Sequence, residues 1–140
     1  MKRFQIEIPS DPACLRIVRS SVESLCGMAG MDEMACSKIV LAVDEACSNI
    51  IRHSYEGATD KPIICEGKIE EDTLFITLQD FGKKVDHSKI QPRELADVRP
   101  GGLGMHFIRE VMDTVKFEDC GEEGTRLILE KRVSNTGAKA

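Results

Sequence analysis

The chain has no apolar run approaching the ~18–20 residues that a membrane-spanning helix needs, so no membrane partner is expected. It has no block of basic residues: 19 Lys and Arg stand against 24 Asp and Glu, for a net charge of -5. That balance disfavours a nucleic-acid partner, which is bound chiefly through clustered positive charge. None of the six cysteines (Cys14, Cys26, Cys36, Cys47, Cys65 and Cys120) forms a C-x-x-C pair, which argues against a zinc ribbon or a thioredoxin-like centre. Met1 to Pro9 offers Lys2 and Arg3 but neither an apolar h-region nor a small-residue cleavage site, so a cytoplasmic address and reduced thiols are the expectation. Internal repeats and low-complexity segments are also missing.

What is present suits one domain over residues 1–140, with a frayed tail at 134–140. Arg3 to Ile8 alternates in polarity and reads as a strand. Ser10-Asp11-Pro12 supplies a capping side chain and a first-turn proline for a helix with Leu15, Val18, Val22 and Leu25 on one stripe, ending near Gly27 to Gly30. A second helix starts around Met31-Asp32-Glu33, packs through Ile39, Val43, Ala46 and Ile50, and stops near Gly57. Lys61–Glu70 and Thr73–Gln79 form a hairpin about the turn Glu71-Asp72. Asp80 to Gly102 is a long, poorly patterned stretch of the kind that is functional or disordered. A short helix, Leu103–Met112, and strands near Thr114–Glu118 and Thr125–Val133 complete the pattern. The fold class is α/β: a two-layer sandwich of a mixed, mainly antiparallel sheet with helices on one face.

Within that frame the richest segment is Val43 to His53. Glu45 and Asn49 are four residues apart, so at ~100° per residue they differ by only ~40° and share a helix face, roughly 100° from the apolar seam. An amide oxygen suits magnesium, and a carboxylate one turn away suits the activation of a nucleophile. Asp80-Phe81-Gly82 closes a strand, where an aspartate can accept from an amino group such as that of adenine and a glycine admits a planar base. Gly101-Gly102-Leu103-Gly104 opens a helix, leaving backbone N–H groups free for phosphate. Gly124-Thr125 begins the last strand, adding a hydroxyl, and His53 follows Asn49 by one further turn.

The order of these elements resembles the GHKL ATP-binding (histidine kinase-like) fold. Glu45-x-x-x-Asn49 is similar to its N box, Asp80-x-Gly82 to its first glycine box, Gly102-x-Gly104 to its second, and Gly124-Thr125 to its last motif. Within that group the run Glu45 to Tyr55 and Gly101-Gly102-Leu103-Gly104-Met105 resemble the anti-sigma-factor serine kinases, over roughly Phe4 to Arg132. The resemblance implies ATP and Mg2+ as cofactors. It implies Glu45 as general base, Asn49 as magnesium ligand, Asp80 on the adenine amino group, Gly82 and Thr125 beside the base, and Gly102, Leu103 and Gly104 in the phosphate lid. It further implies a STAS-type antagonist protein as phosphoryl acceptor, a sigma factor as sequestered partner, and a homodimer. Arg16 falls where a partner-contacting arginine is expected.

One position departs from the pattern: Lys84 stands where the family's first glycine box carries a second glycine. A lysine in a glycine-only conformation is strained, which would signal a decayed pocket. Alternatively, Lys83 or Lys84 reaches a phosphate. Two other readings stay open: a non-catalytic, nucleotide-responsive binding module, and a detached histidine-kinase catalytic domain. The retained glutamate favours catalysis over the first, and no long helical hairpin precedes Phe4 to favour the second.

Overall fold

A computed structural model of the chain describes residues 2–85 and 104–133. Five strands, β1 (Lys2–Pro9), β2 (Pro62–Glu70), β3 (Thr73–Asp80), β4 (Thr114–Asp119) and β5 (Thr125–Arg132), form one sheet in the order β1-β2-β3-β5-β4. Every strand pair among the described residues is antiparallel, so the sheet is wholly antiparallel there and not mixed. The reason lies in the connections: β2–β3 and β4–β5 are tight hairpins, and β1 and β5 each come in beside a strand that runs the other way.

The helices are α1 (Leu15–Met28), α2 (Glu33–Asn49) and α3 (Gly104–Val111). Pro12 opens a 3₁₀ turn ahead of α1, capped by the Asp11 carboxylate, which accepts from the Ala13 N–H at 2.9 Å. Asp32 caps α2 in the same way, accepting from the Ala35 N–H at 2.8 Å. The expected stripe of α1 is buried, with Cys26 added. The inward strand positions Ile63, Cys65, Leu74, Ile76, Leu78, Leu127 and Leu129 meet Val18, Val22, Ile39, Val43 and Ala46 in one core. The opposite sheet face, from Gln5 through Phe75 to Glu130, borders an open depression. All six cysteines are free thiols.

Two departures from the sequence reading bear on function. The second helix does not run on as an α-helix to Gly57: Ile50–Ser54 widen into a π-helical turn, closed by the Tyr55 N–H donating to the Ile50 carbonyl at 3.0 Å. Such turns recur at functional sites because the extra residue per turn re-aims the side chains around it. Second, β3 extends one residue, to Asp80. Asp80 shares the parity of Leu74, Ile76 and Leu78, so strand alternation turns this carboxylate inward, at 4% exposure.

Candidate active site

The last two turns of α2, the N-terminus of α3 and the facing ends of β3 and β5 converge on a mostly apolar cavity. It is lined by Ala46, Asn49, Ile50, Asp80, Met105, Phe117, Thr125 and Leu127. Three of the residues singled out in the sequence, Asn49, Asp80 and Thr125, therefore border one space. Glu45 lies at its edge, since a Cβ built on Gly104 would sit 2.9 Å from Glu45 Oε1 and 3.5 Å from Asn49 Nδ2. A glycine at the start of α3 lets that helix rest directly on the polar pair. Gly102 and Leu103 lie outside the described residues. His53 is half-buried but is not among the residues that line the cavity.

Glu45 Oε1 and Asn49 Nδ2 are buried side-chain atoms without a hydrogen-bond partner among the described residues. Leaving such atoms unsatisfied costs about 1–3 kcal/mol each, so a fold keeps them only where something else fills their valence. Burial holds the Glu45 carboxyl above its ordinary range; the Arg52 guanidinium opposes this and the neighbouring Asp44 carboxylate adds to it. Arg52 also donates to Asn49 Oδ1 at 3.2 Å. This residue was missed in the sequence, although its place three residues after Asn49, one turn on, was legible. Asp44, the residue before Glu45, is tied to α1 by Arg19 at 2.8 Å.

The Asp80 end of the cavity is fixed by close backbone approach. Burial raises the Asp80 pKa, against the Gly82 N–H, the Ser54 hydroxyl and the Lys84 charge, all of which favour the ionised form. The Gly82 N–H donates to Asp80 Oδ1 at 2.9 Å. A side chain at Gly82 would collide with the Ser54 carbonyl of the π-turn, which is where the Lys83 N–H donates at 3.0 Å. Tyr55, buried, ties three elements: its hydroxyl donates to the Pro62 carbonyl at 2.6 Å and accepts from the Phe81 N–H at 2.8 Å. Gly124, at φ +87°, is required twice: its backbone is left-handed, and a Cβ would overlap the Asp80 carbonyl oxygen. Asp80 and Thr125 are direct partners across β3 and β5. The segments Asp80–Gly82 and Gly124–Thr125 are thus one structural unit.

Lys84 is not strained: among the described non-glycine residues only Glu56 and Glu71 have positive φ. Both lysines have partners in the fold. Lys83 pairs with Glu56 at 2.8 Å, and Lys84 pairs with Asp119 at 2.9 Å.

This geometry has relatives. Residues 8–131 match the family model described as a histidine kinase-like ATPase domain. The chain belongs to that family. Within it, the chain is 29% identical over 140 residues to a protein named serine-protein kinase RsbW from Listeria innocua, covering 94% of this chain and 88% of the relative. A protein of the same name from Bacillus velezensis is 26% identical over 123 residues, covering 82% and 77%. Among solved structures, the RsbU and RsbW domains of Rv1364c from Mycobacterium tuberculosis align with a TM-score of 0.67 at 19% identity, over 94% of this chain and 32% of that longer one. A blue-light activated histidine kinase from Erythrobacter litoralis aligns with a TM-score of 0.61 at 16% identity, over 93% of this chain and 43% of that one. At those identities the structural likeness shows the fold, the histidine kinase-like α/β sandwich.

Proposed function

We propose that this histidine kinase-like ATPase domain is an ATP-dependent protein-serine kinase. The observation that carries the reading is the pair of unpartnered buried atoms, Glu45 Oε1 and Asn49 Nδ2, beside a cavity that ends in Asp80 and Thr125. The relatives named serine-protein kinase support the choice of acceptor.

The donor set fits a magnesium nucleotide. The ion's donor in this reading is the Asn49 amide oxygen, which accepts from Arg52 here; one hard oxygen is too few to cage the ion alone, as suits a cation shared with phosphates. Magnesium, when bound, neutralises charge on the triphosphate. In this reading Asn49 holds the ion, Asp80 accepts from the adenine amino group, and Thr125 and Gly82 border the base. The phosphate-lid role that the resemblance implies falls to Gly102, Leu103 and Gly104, of which Gly104 stands at the N-terminus of α3. Arg52, beside Asn49 and facing Glu45, adds a positive charge next to the transferred group.

Glu45 accepts the proton of the substrate hydroxyl. A raised carboxyl pKa makes the carboxylate a better base at neutral pH than an exposed glutamate, provided the group is still ionised there. The oxygen so freed attacks the terminal phosphorus, the bond to the nucleoside diphosphate breaks, and the phosphoryl group ends on serine.

In cell biology the reading extends to an anti-sigma factor of a partner-switching circuit. The phosphoryl acceptor is a STAS-type antagonist, the sequestered protein a sigma factor, and the working unit a cytoplasmic homodimer. The names of the relatives support the serine kinase, and the motifs that resemble the anti-sigma-factor serine kinases, Glu45 to Tyr55 and Gly101 to Met105, extend the reading to the circuit. Incubation of the protein with ATP labelled at the γ-phosphate and a serine-bearing STAS protein tests it. Label transferred to the serine supports the kinase, and magnesium-dependent nucleotide binding without transfer favours the binding module.

A further inference from the structure

We propose that Lys84 is a positioning residue for the nucleotide site: its ammonium clips the β4–β5 turn, and with it Thr125, to the end of β3. The inference rests on the nucleotide site proposed above.

Lys84 Nζ lies 2.6 Å from the Gly124 carbonyl, 3.1 Å from the Gly121 carbonyl and 2.9 Å from Asp119 Oδ1. An ammonium has three N–H bonds to give, and here each has an acceptor. The three acceptors run from the last residue of β4 to the residue before β5, so one side chain gathers the whole turn.

The turn is otherwise held mainly by itself. The Cys120 N–H donates to Gly124, Glu123 to Cys120, Gly124 to Gly121, and Gly121 to Asp119 Oδ1, all within six residues. Across to the β3 side, Gln79 Nε2 donates to the Glu123 carbonyl at 2.6 Å, and Lys84 supplies the charged contacts. Asp80 opposite Thr125 is the last rung of the β3–β5 ladder, and ladder ends fray. Fraying at that rung would take away one wall of the cavity and the residue facing Asp80. Contacts from an ionised donor to carbonyls are roughly twice as strong as neutral ones, which suits a clip at a half-exposed position. Glycine at 84 has no side chain to do this, so the departure from the family pattern is a substitution with a use of its own.

The competing role, direct contact with a phosphate, would require Lys84 to leave all three acceptors. The two roles separate by ligand. Adenosine, ADP and a non-hydrolysable ATP analogue are titrated calorimetrically into wild type, Lys84→Ala, Lys84→Arg and Asp119→Ala. Amide exchange of the Cys120–Thr125 segment is measured on the same proteins without nucleotide. The clip predicts that Lys84→Ala weakens all three ligands by a common factor of about tenfold, that Lys84→Arg recovers most of it, and that Asp119→Ala gives a smaller loss of the same kind. KM for ATP rises while kcat at saturation holds, and exchange in the segment quickens. A loss that grows from adenosine to ATP overturns the clip and gives Lys84 to the phosphates; unchanged affinity or unchanged exchange overturns it too. If wild type binds no nucleotide, the site reading has failed, and amide exchange alone then decides whether the clip exists.

Discussion

The two halves of α2 are built for different ends. In the N-terminal half, Asp32 caps the backbone, Glu33 sits in the first turn, and Cys36 and Ile39 turn into the core, Ile39 at 1% exposure. Its polar groups face water or have partners. In the C-terminal half two buried polar atoms lack partners among the described residues, a carboxyl is held above its ordinary range by burial, and the helix opens into a π-turn. The first half lowers the energy of the fold, whereas the second keeps a local cost that a bound ligand can remove. Natural proteins break local rules mainly where function requires it, so the contrast within a single helix locates the site.

The largest effect should come from Glu45→Gln. Loss of a general base lowers phosphoryl transfer by about 10²–10⁴, while affinity for the ATP analogue stays near wild type; single-turnover assay beside calorimetry reads both. Next is the other half of the comparison. Ile39→Ala should cost about 2–5 kcal/mol of stability in denaturant unfolding, yet leave the nucleotide affinity of the folded protein intact. A parallel loss of affinity would mean the two halves are not separable. Gly82→Ala should be intermediate, about 1–3 kcal/mol for overpacking, and should also weaken nucleotide binding, because it pushes the π-turn away from β3.

A smaller effect is a pH dependence. Glu45 and Asp80 both titrate above the usual carboxylate range, chiefly through burial. A raised acid favours the fold fully below the unfolded-state value and loses that contribution as pH rises through the folded value. Glu45→Gln removes Glu45's share of the dependence and leaves that of Asp80, so the nucleotide-free variant should gain in Tm over wild type as the pH is raised from acid to neutral. A gain that shrinks with rising pH would reverse the sign assigned to Glu45.

Much of this was legible in the sequence because periodicity carries it. The stripe Leu15, Val18, Val22 and Leu25 and the β2–β3 and β4–β5 hairpins emerge near their expected bounds. Spacing alone also put Glu45 and Asn49 on one face, and the structure brings Asn49, Asp80 and Thr125 to one cavity. What stayed hidden depends on contacts distant in the chain. The π-turn is stabilised by Gly82 and Tyr55 meeting Ser54, Pro62 and Phe81, none of which a helical pattern encodes. Asp80 reads as a loop residue until strand parity carries it inward. Lys84 reads as a lost glycine until Asp119 and the carbonyls of Gly121 and Gly124 are seen around it. The second glycine motif, Gly102 and Leu103, falls outside the described residues.

The most direct test is calorimetric titration of wild type and Asn49→Ala with a non-hydrolysable ATP analogue, in magnesium and in EDTA. The account predicts saturable binding by wild type that needs magnesium, and a loss of at least about tenfold in Asn49→Ala with no magnesium dependence left. No binding by wild type at millimolar nucleotide, or equal binding by both proteins with and without magnesium, would contradict it.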